Sequence, residues 1–432
     1  MTALLQRLDL RQSEGDLARR LPRPEVAGAG PVGEVRSILA QVRAEGDQAL
    51  RALTERFDGV AVDELRVPAA QVDAALATLP PLLREAMEAA QASILAFHRT
   101  QLRPESRYER DGVVIRDLHR PVDRAGLYIP GGRTPLHSTV LMTAIPARVA
   151  GVPEVMLCTP PGPDGEVAGP TLAAAALAGV DEVYRVGGAQ AIGAMAYGTQ
   201  TIPPVDLIVG PGNIYVSLAK REVAQEGAVG VPSAFAGPSE VVVVADETTP
   251  VEWAAIDVIV QAEHGPDGLA WLVTWSETAA DRITEAVATL TAASPRRAEI
   301  EATLAKSGYA VLVDTPARAM EVANAVAPEH LELMTADPES LVPLVRHAGA
   351  VFCGAYAPAS VGDYLAGPSH VLPTNRSARF ASVLRVDDFC TQTHVISLDQ
   401  PTLARLAPHV AAMAESEGLA AHAASVRLRG QA

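Results

Sequence analysis

The chain has 432 residues, too many for one hydrophobic core and enough for two or three domains. Hydrophobic residues make up 48% and charged residues 20%, an ordinary globular balance. A net charge of −16 with Lys nearly absent argues against nucleic acid or an anionic membrane as partner, since either needs a basic patch. No apolar run is long enough to span a bilayer, and charges interrupt the first residues where a secretion signal needs an apolar stretch, so the expected location is cytoplasmic.

Taken in chain order, residues 1–30 are charged, then rich in Pro and Gly, and read as an extension. Helical apolar spacing follows at 33–57 and 70–98. From Ala125 short apolar runs alternate with Ala-rich stretches. Strands are predicted at 126–129, 154–158, 182–186 and 206–209, with helices near 138–150, 170–179, 189–197 and 214–226. Repeated strand–helix units mean a parallel sheet with helices on its faces. A second such series opens with the run 240–245. A helix at 250–263 comes next, with Thr249 as N-cap and Pro250 at its first position. Further strands fit 269–275, 309–314 and 350–353, and the residues after Asp388 read as a small helical tail.

Three cysteines, Cys158, Cys353 and Cys390, form no CxxC pair and suit a reducing compartment; the first two end apolar runs and are expected to be buried. The GxGxxG match at Gly28-Ala-Gly-Pro-Val-Gly33 follows no strand and has Pro31 where a helix should start, so it fails as a dinucleotide fingerprint. Three glycine loops say more: Pro130-Gly-Gly132, Gly187-Gly-Ala-Gln190 and Gly210-Pro-Gly-Asn213 each follow a predicted strand and precede a helix. Such loops share one edge of a parallel sheet, where open α/β folds bind ligands, and glycine admits the close approach of a phosphate. Gln190 and Asn213 add side-chain amides there. Gln261 and His264 are three residues apart and share a helix face, a spacing compatible with a metal as well as with plain hydrogen bonding. Glu329-His330 pairs a carboxylate with an imidazole before a short apolar run, a combination that can act as base and proton shuttle or simply sit at a surface.

Together these segments resemble the histidinol dehydrogenase family over nearly the whole chain. The matching stretches are Gly126-Leu-Tyr-Ile-Pro-Gly-Gly132, Val186-Gly-Gly-Ala-Gln-Ala-Ile192, Val209-Gly-Pro-Gly-Asn-Ile-Tyr-Val216 and Ala236-Gly-Pro-Ser-Glu-Val241. They continue with Gln261-Ala-Glu-His-Gly265, Ala327-Pro-Glu-His-Leu-Glu332, Gly362-Asp-Tyr364, His370-Val-Leu-Pro-Thr374 and Glu417-Gly-Leu-Ala-Ala-His422. The resemblance implies two Rossmann-like parallel-sheet α/β domains with an N-terminal extension and a helical tail. One domain is discontinuous (31–125 plus 239–385) and holds the metal and catalytic residues. The other (126–238) carries the NAD loops, and the tail (386–432) crosses to a partner in a homodimer.

The resemblance also implies one Zn2+ per subunit on Gln261, His264, Asp363 and His422, and acid–base roles for Glu329 and His330. Ser239, Gln261, His264, His330, Asp363, Glu417 and His422 would contact a small substrate bearing an imidazole and an amine, with His370 a further candidate. Tyr128, Gln190 and Asn213 would bind NAD. The implied reaction is a four-electron oxidation of L-histidinol to L-histidine through the aldehyde. Pro232-Ser233, Ser369 and Leu136-His137 depart from the family pattern and leave open another small primary alcohol as substrate; a metal-dependent hydrolase using the same ligands is the other alternative.

Overall fold

In the computed structural model, residues 4–429 are described except 14, 16, 23–29, 132–134, 233–238 and 265–267. In chain order the elements are β1 (Gln6–Asp9), α1 (Val32–Glu45), α2 (Asp47–Asp58), α3 (Ala69–Ala75), α4 (Pro81–Arg99), β2 (Ser106–Arg110) and β3 (Val113–Pro121). Next come β4 (Arg124–Tyr128), α5 (His137–Ala150), β5 (Glu154–Thr159), α6 (Gly169–Ala178), β6 (Glu182–Arg185), α7 (Gly188–Tyr197), β7 (Leu207–Val209) and α8 (Ile214–Gln225). The third stretch holds β8 (Glu240–Ala245), α9 (Val251–Val260), β9 (Leu269–Thr274), α10 (Glu277–Ala293), α11 (Arg297–Ser307), β10 (Gly308–Leu312) and α12 (Pro316–Val326). The chain ends with β11 (His330–Met334), β12 (Ala350–Cys353), α13 (Ala359–Tyr364), β13 (Cys390–Ser397), α14 (Gln400–Ser416) and α15 (Ala420–Arg429).

Two parallel sheets carry the fold, as the alternating pattern predicts. One has six strands in the order β1-β10-β9-β8-β11-β12, the other four in the order β6-β5-β4-β7. Successive residues of β8 serve opposite faces: Val241 and Val243 pack with α9 and α10, while Val242 and Val244 join Trp271, Leu331 and Met320. Strands covered on both faces need apolar residues throughout, which is why β8 reads as an unbroken Val run. The four-stranded sheet repeats the scheme, with Leu127 and Leu157 facing α4 to α6 and Tyr128, Met156 and Tyr184 facing α1, α7 and α8.

Several expectations are revised. The first residues are no mere extension: β1 pairs in parallel with β10 as an edge strand, and Leu5, Leu10, Leu17 and Leu21 are buried. The predicted helix over 33–57 is two helices, α1 and α2, parted at Gly46 with φ +58°. These helices, with α3 and α4, pack on the four-stranded sheet rather than on the six-stranded one. The segment after Asp388 begins with β13, which joins β3 and β2 in a small antiparallel sheet before the helical hairpin α14–α15 starts. Pro250, not Thr249, occupies the cap of α9; the Thr249 hydroxyl binds the carbonyl of Met334. Cys158 is buried as expected, whereas Cys353 is only half-buried. Gly28 falls outside the described residues, and Gly33 lies in α1. No described helix is long and apolar enough to cross a membrane.

Candidate active site

In each parallel sheet the chain reverses direction once. In the four-stranded sheet it runs from β4 outward to β6 and then returns to place β7 on the other side of β4. The crevice at the carboxyl ends of β4 and β7 is the position where open α/β sheets take ligands. Tyr128 closes β4 there, and its hydroxyl accepts a hydrogen bond from the Gly188 amide at 3.1 Å. Gln190 is buried in the first turn of α7, while Asn213 caps α8 by accepting from Val216 N at 3.1 Å. Pro160 packs under both Gly131 and Gly187, so the loops after β4, β5 and β6 abut. Gly132 lies outside the described residues.

Gly210 draws the third loop in. Its φ is +108°, and a Cβ there would stand 2.1 Å from the Tyr128 carbonyl. The buried Lys220 ammonium donates to the Gly210 carbonyl from beneath, a support that sequence reasoning missed. Gly210→Ala is expected to destabilise the protein by about 1–3 kcal/mol, the cost of forcing a side chain into such a backbone state. Denaturant unfolding reads this directly; an unchanged midpoint would mean that the Tyr128 strand end yields freely.

The six-stranded sheet presents its opposite edge. Its reversal lies between β8 and β11, and the predicted acid–base pair stands at the amino end of β11. The Glu329 carbonyl accepts from Ala350 N at 2.8 Å, and Gly349 packs on the same carbonyl, so β12 fixes this backbone. The buried Glu329 carboxylate accepts from Glu240 N at 2.9 Å. His330 Nδ1 lies 3.0 Å from the Glu240 carbonyl oxygen and 3.5 Å from Glu329 Oε2. An N–H on Nδ1 satisfies that carbonyl and leaves the Nε2 lone pair outward. Nε2 lies 3.4 Å from Asp363 Oδ1, without hydrogen-bond geometry, and the ring stacks on Phe352.

Burial pushes the Glu329 carboxyl up to about 7 against the pull of His330. Burial disfavours a charged His330, yet Glu329 and Asp363 outweigh it and raise the imidazole to about 9. Burial likewise lifts Glu240, another residue that sequence reasoning missed, to about 8. It lies within the matching stretch 236–241, but nothing in the residues themselves marked its carboxyl as buried.

Gln261 ends α9 at this same amino edge, 1% exposed, and both polar atoms of its amide are buried without a partner. An orphaned amide is costly and fits a group that accepts a ligand. Its backbone and that of Ser239 converge beside Gly268. Asp363 sits on α13, and burial, then the charges of Asp363 and Glu263, raise the Tyr364 phenol beside it. His264 belongs to that turn, its side chain lying outside the described residues. Among the described residues no three His, Cys, Asp or Glu side chains form a metal cage within the chain.

His370 joins the two halves, its Nδ1 2.9 Å from the Asp363 carbonyl and its Nε2 3.0 Å from the Thr139 hydroxyl on α5. The carboxyl edge of one sheet is thus tied to the amino edge of the other. Of the unusual positions, Ser369 is buried and donates to the Met142 carbonyl, Leu136 and His137 begin α5, and Ser233 is outside the described residues. Glu417 and His422 are exposed on the tail hairpin, and no described hydrogen bond or ion pair joins them to this cluster. That hairpin packs on itself through Ala411, Ala414 and Ala423, touches the rest of the chain near Asp111, and leaves Met413 and Leu428 67% and 68% exposed.

The profile of the family described as Histidinol dehydrogenase matches residues 22–430. A histidinol dehydrogenase of Synechococcus is 48% identical over 401 residues, 92% of each chain. One of Symbiobacterium thermophilum is 48% identical over 403 residues, 92% of this chain and 90% of its own. The crystal structure of histidinol dehydrogenase from Elizabethkingia anophelis superposes with a TM-score of 0.93 at 34% identity, over 99% of this chain and 98% of that one. The hydrolase alternative falls with these matches, and the chain belongs to the histidinol dehydrogenase family.

Proposed function

We propose that the protein oxidises L-histidinol to L-histidine through histidinaldehyde, with two NAD consumed, as the last steps of histidine biosynthesis in the cytoplasm. The observation that carries this reading is the Glu329–His330–Asp363 cluster tied through His370 to the glycine loops of the second sheet. Tyr128, Gln190 and Asn213 bind NAD at the carboxyl edge of β4 and β7, where backbone amides and glycine suit a pyrophosphate. Ser239 and Asp363, with Glu417 of the partner subunit, hold the substrate.

His330 Nε2 takes the hydroxyl proton while the alcohol carbon passes a hydride to NAD. Glu329 then removes a proton from the water that adds to the aldehyde. As the hydrate gives its hydride to a second NAD, its hydroxyl proton passes to His330, which has by then released the first proton to solvent. Buried and pushed up toward neutrality, Glu329 is poised to act as that base. Gln261, Asp363 and His264, with His422 of the partner subunit, would hold zinc. The orphaned amide of Gln261 and the mixed oxygen and imidazole donors fit that ion. When bound, zinc anchors the substrate's imidazole and amine. The dimer places the apolar tail hairpin of one subunit over the other.

Purified protein with histidinol and excess NAD should yield two NADH per histidinol. Chelation should abolish turnover while leaving NAD affinity unchanged, because the proposed ligands lie outside the glycine loops. One NADH per alcohol, no NADH, or full activity in a verified metal-free sample would each overturn a stated part of this reading.

A further inference from the structure

Two buried carboxyl groups have no role in the chemistry above. Glu332 follows His330 by two residues on β11, so both side chains lie on one face of the strand, and it is 2% exposed. Asp257 is buried on α9, one helical turn before Gln261. The two carboxyl groups face one another within hydrogen-bonding reach. Glu332 Oε1 accepts from Ala359 N at 2.9 Å, while Oε2 is buried and meets no donor. Ala359 is the first residue of α13, the short helix that bears Asp363.

Two carboxylates cannot both stay ionised when buried in contact, because each loses its hydration and repels the other. Burial drives Glu332 up to about 9 and raises Asp257 as well. An O–H placed between them satisfies the empty Glu332 oxygen and makes a charge-assisted bond of the strong kind. The remaining Glu332 oxygen still holds the amino end of α13.

We propose that Asp257 and Glu332 are positioning residues, a carboxyl–carboxylate pair that locks α9, β11 and α13 together and thereby sets Gln261, His330 and Asp363 relative to one another. The roles of those three residues rest on the proposed function; the lock itself does not. Neither partner touches the reacting atoms, so the effect passes through geometry, where an error of about 1 Å can cost roughly 10²-fold in rate.

The test compares Glu332→Gln with Glu332→Leu, alongside Asp257→Asn and Asp257→Leu. Gln can donate to Asp257 and accept from Ala359 N, so it should keep kcat within about threefold. Leu can do neither, and kcat should fall by roughly 10²-fold with the KM for NAD unchanged. Hydrogen exchange of the α13 amides should quicken in Glu332→Leu and stay at the wild-type rate in Glu332→Gln. If Glu332→Leu does not fold, the Asp257 pair makes the same comparison from the helix side. Equal damage by Gln and Leu, or wild-type exchange and turnover in Leu, overturns the proposal. The exchange arm is independent of turnover. Wild-type protein inert toward histidinol but showing the expected exchange pattern would sink the reaction and keep the lock.

Discussion

Glu329→Gln should lower oxidation of histidinaldehyde by roughly 10²–10⁴-fold, the usual contribution of one positioned base. The substitution keeps side-chain volume and still offers an amide oxygen to Glu240 N, so the strand end should hold its shape. What disappears is the group that takes a proton from the attacking water. Oxidation of the alcohol should suffer less. Glu329 is the largest influence raising His330, so its neutralisation lets the imidazole fall from about 9 toward its ordinary value. More of the imidazole is then neutral near pH 7, though it is a weaker base, and the two effects oppose each other. Following NADH from each substrate separately gives the two losses. Equal losses on alcohol and aldehyde would remove Glu329 from the hydration step.

Gln261→Ala and His422→Ala should each be inactive as homodimers, yet regain activity when co-expressed. Each zinc site would draw Gln261 and Asp363 from one subunit and His422 from the other. In a heterodimer one site therefore collects both lesions while the other collects none. About half the dimers are mixed and each holds one intact site, so roughly a quarter of wild-type activity should return. The tail supports this arrangement: His422 is exposed, and large apolar side chains such as Met413 and Leu428 have no cover within the chain. Isolated heterodimers that fold, dimerise and remain inactive would return the tail to its own subunit.

Much of this was legible in residues 126–353. There the doubly covered strands are unbroken apolar runs, and the bounds at 240–245 and 350–353 agree with β8 and β12 to the residue. Elsewhere the signal was weaker for physical reasons. β1 is a four-residue edge strand whose own side chains are mostly exposed, so no apolar run marks it. β2 and β13 are largely exposed and polar on both faces, leaving no period of two to read. Gly46 breaks a continuous helical pattern through a backbone state that spacing cannot report.

The candidate site divides in the same way. Glu329, His330 and Gln261 could be singled out by residue type and position. Glu240 and Glu332 lie within matching stretches and Asp257 in none, but all three show their importance only through burial, since an acid read from sequence looks like solvated surface. Glu329 stands just before β11 and His330 opens it, so the fold, rather than any pattern in the residues, sets this pair at the amino edge.

That placement would put two tasks of the proposed reaction on different edges. In the proposed reaction, cofactor recognition would fall to the turns after β4, β6 and β7 and proton handling to the starts of β8 and β11. His370, and beside it the Ser369 hydroxyl on the Met142 carbonyl, join the two edges. On that reading, a laboratory library confined to one edge, away from Ser369 and His370, should shift cofactor preference or substrate range without rewriting the other.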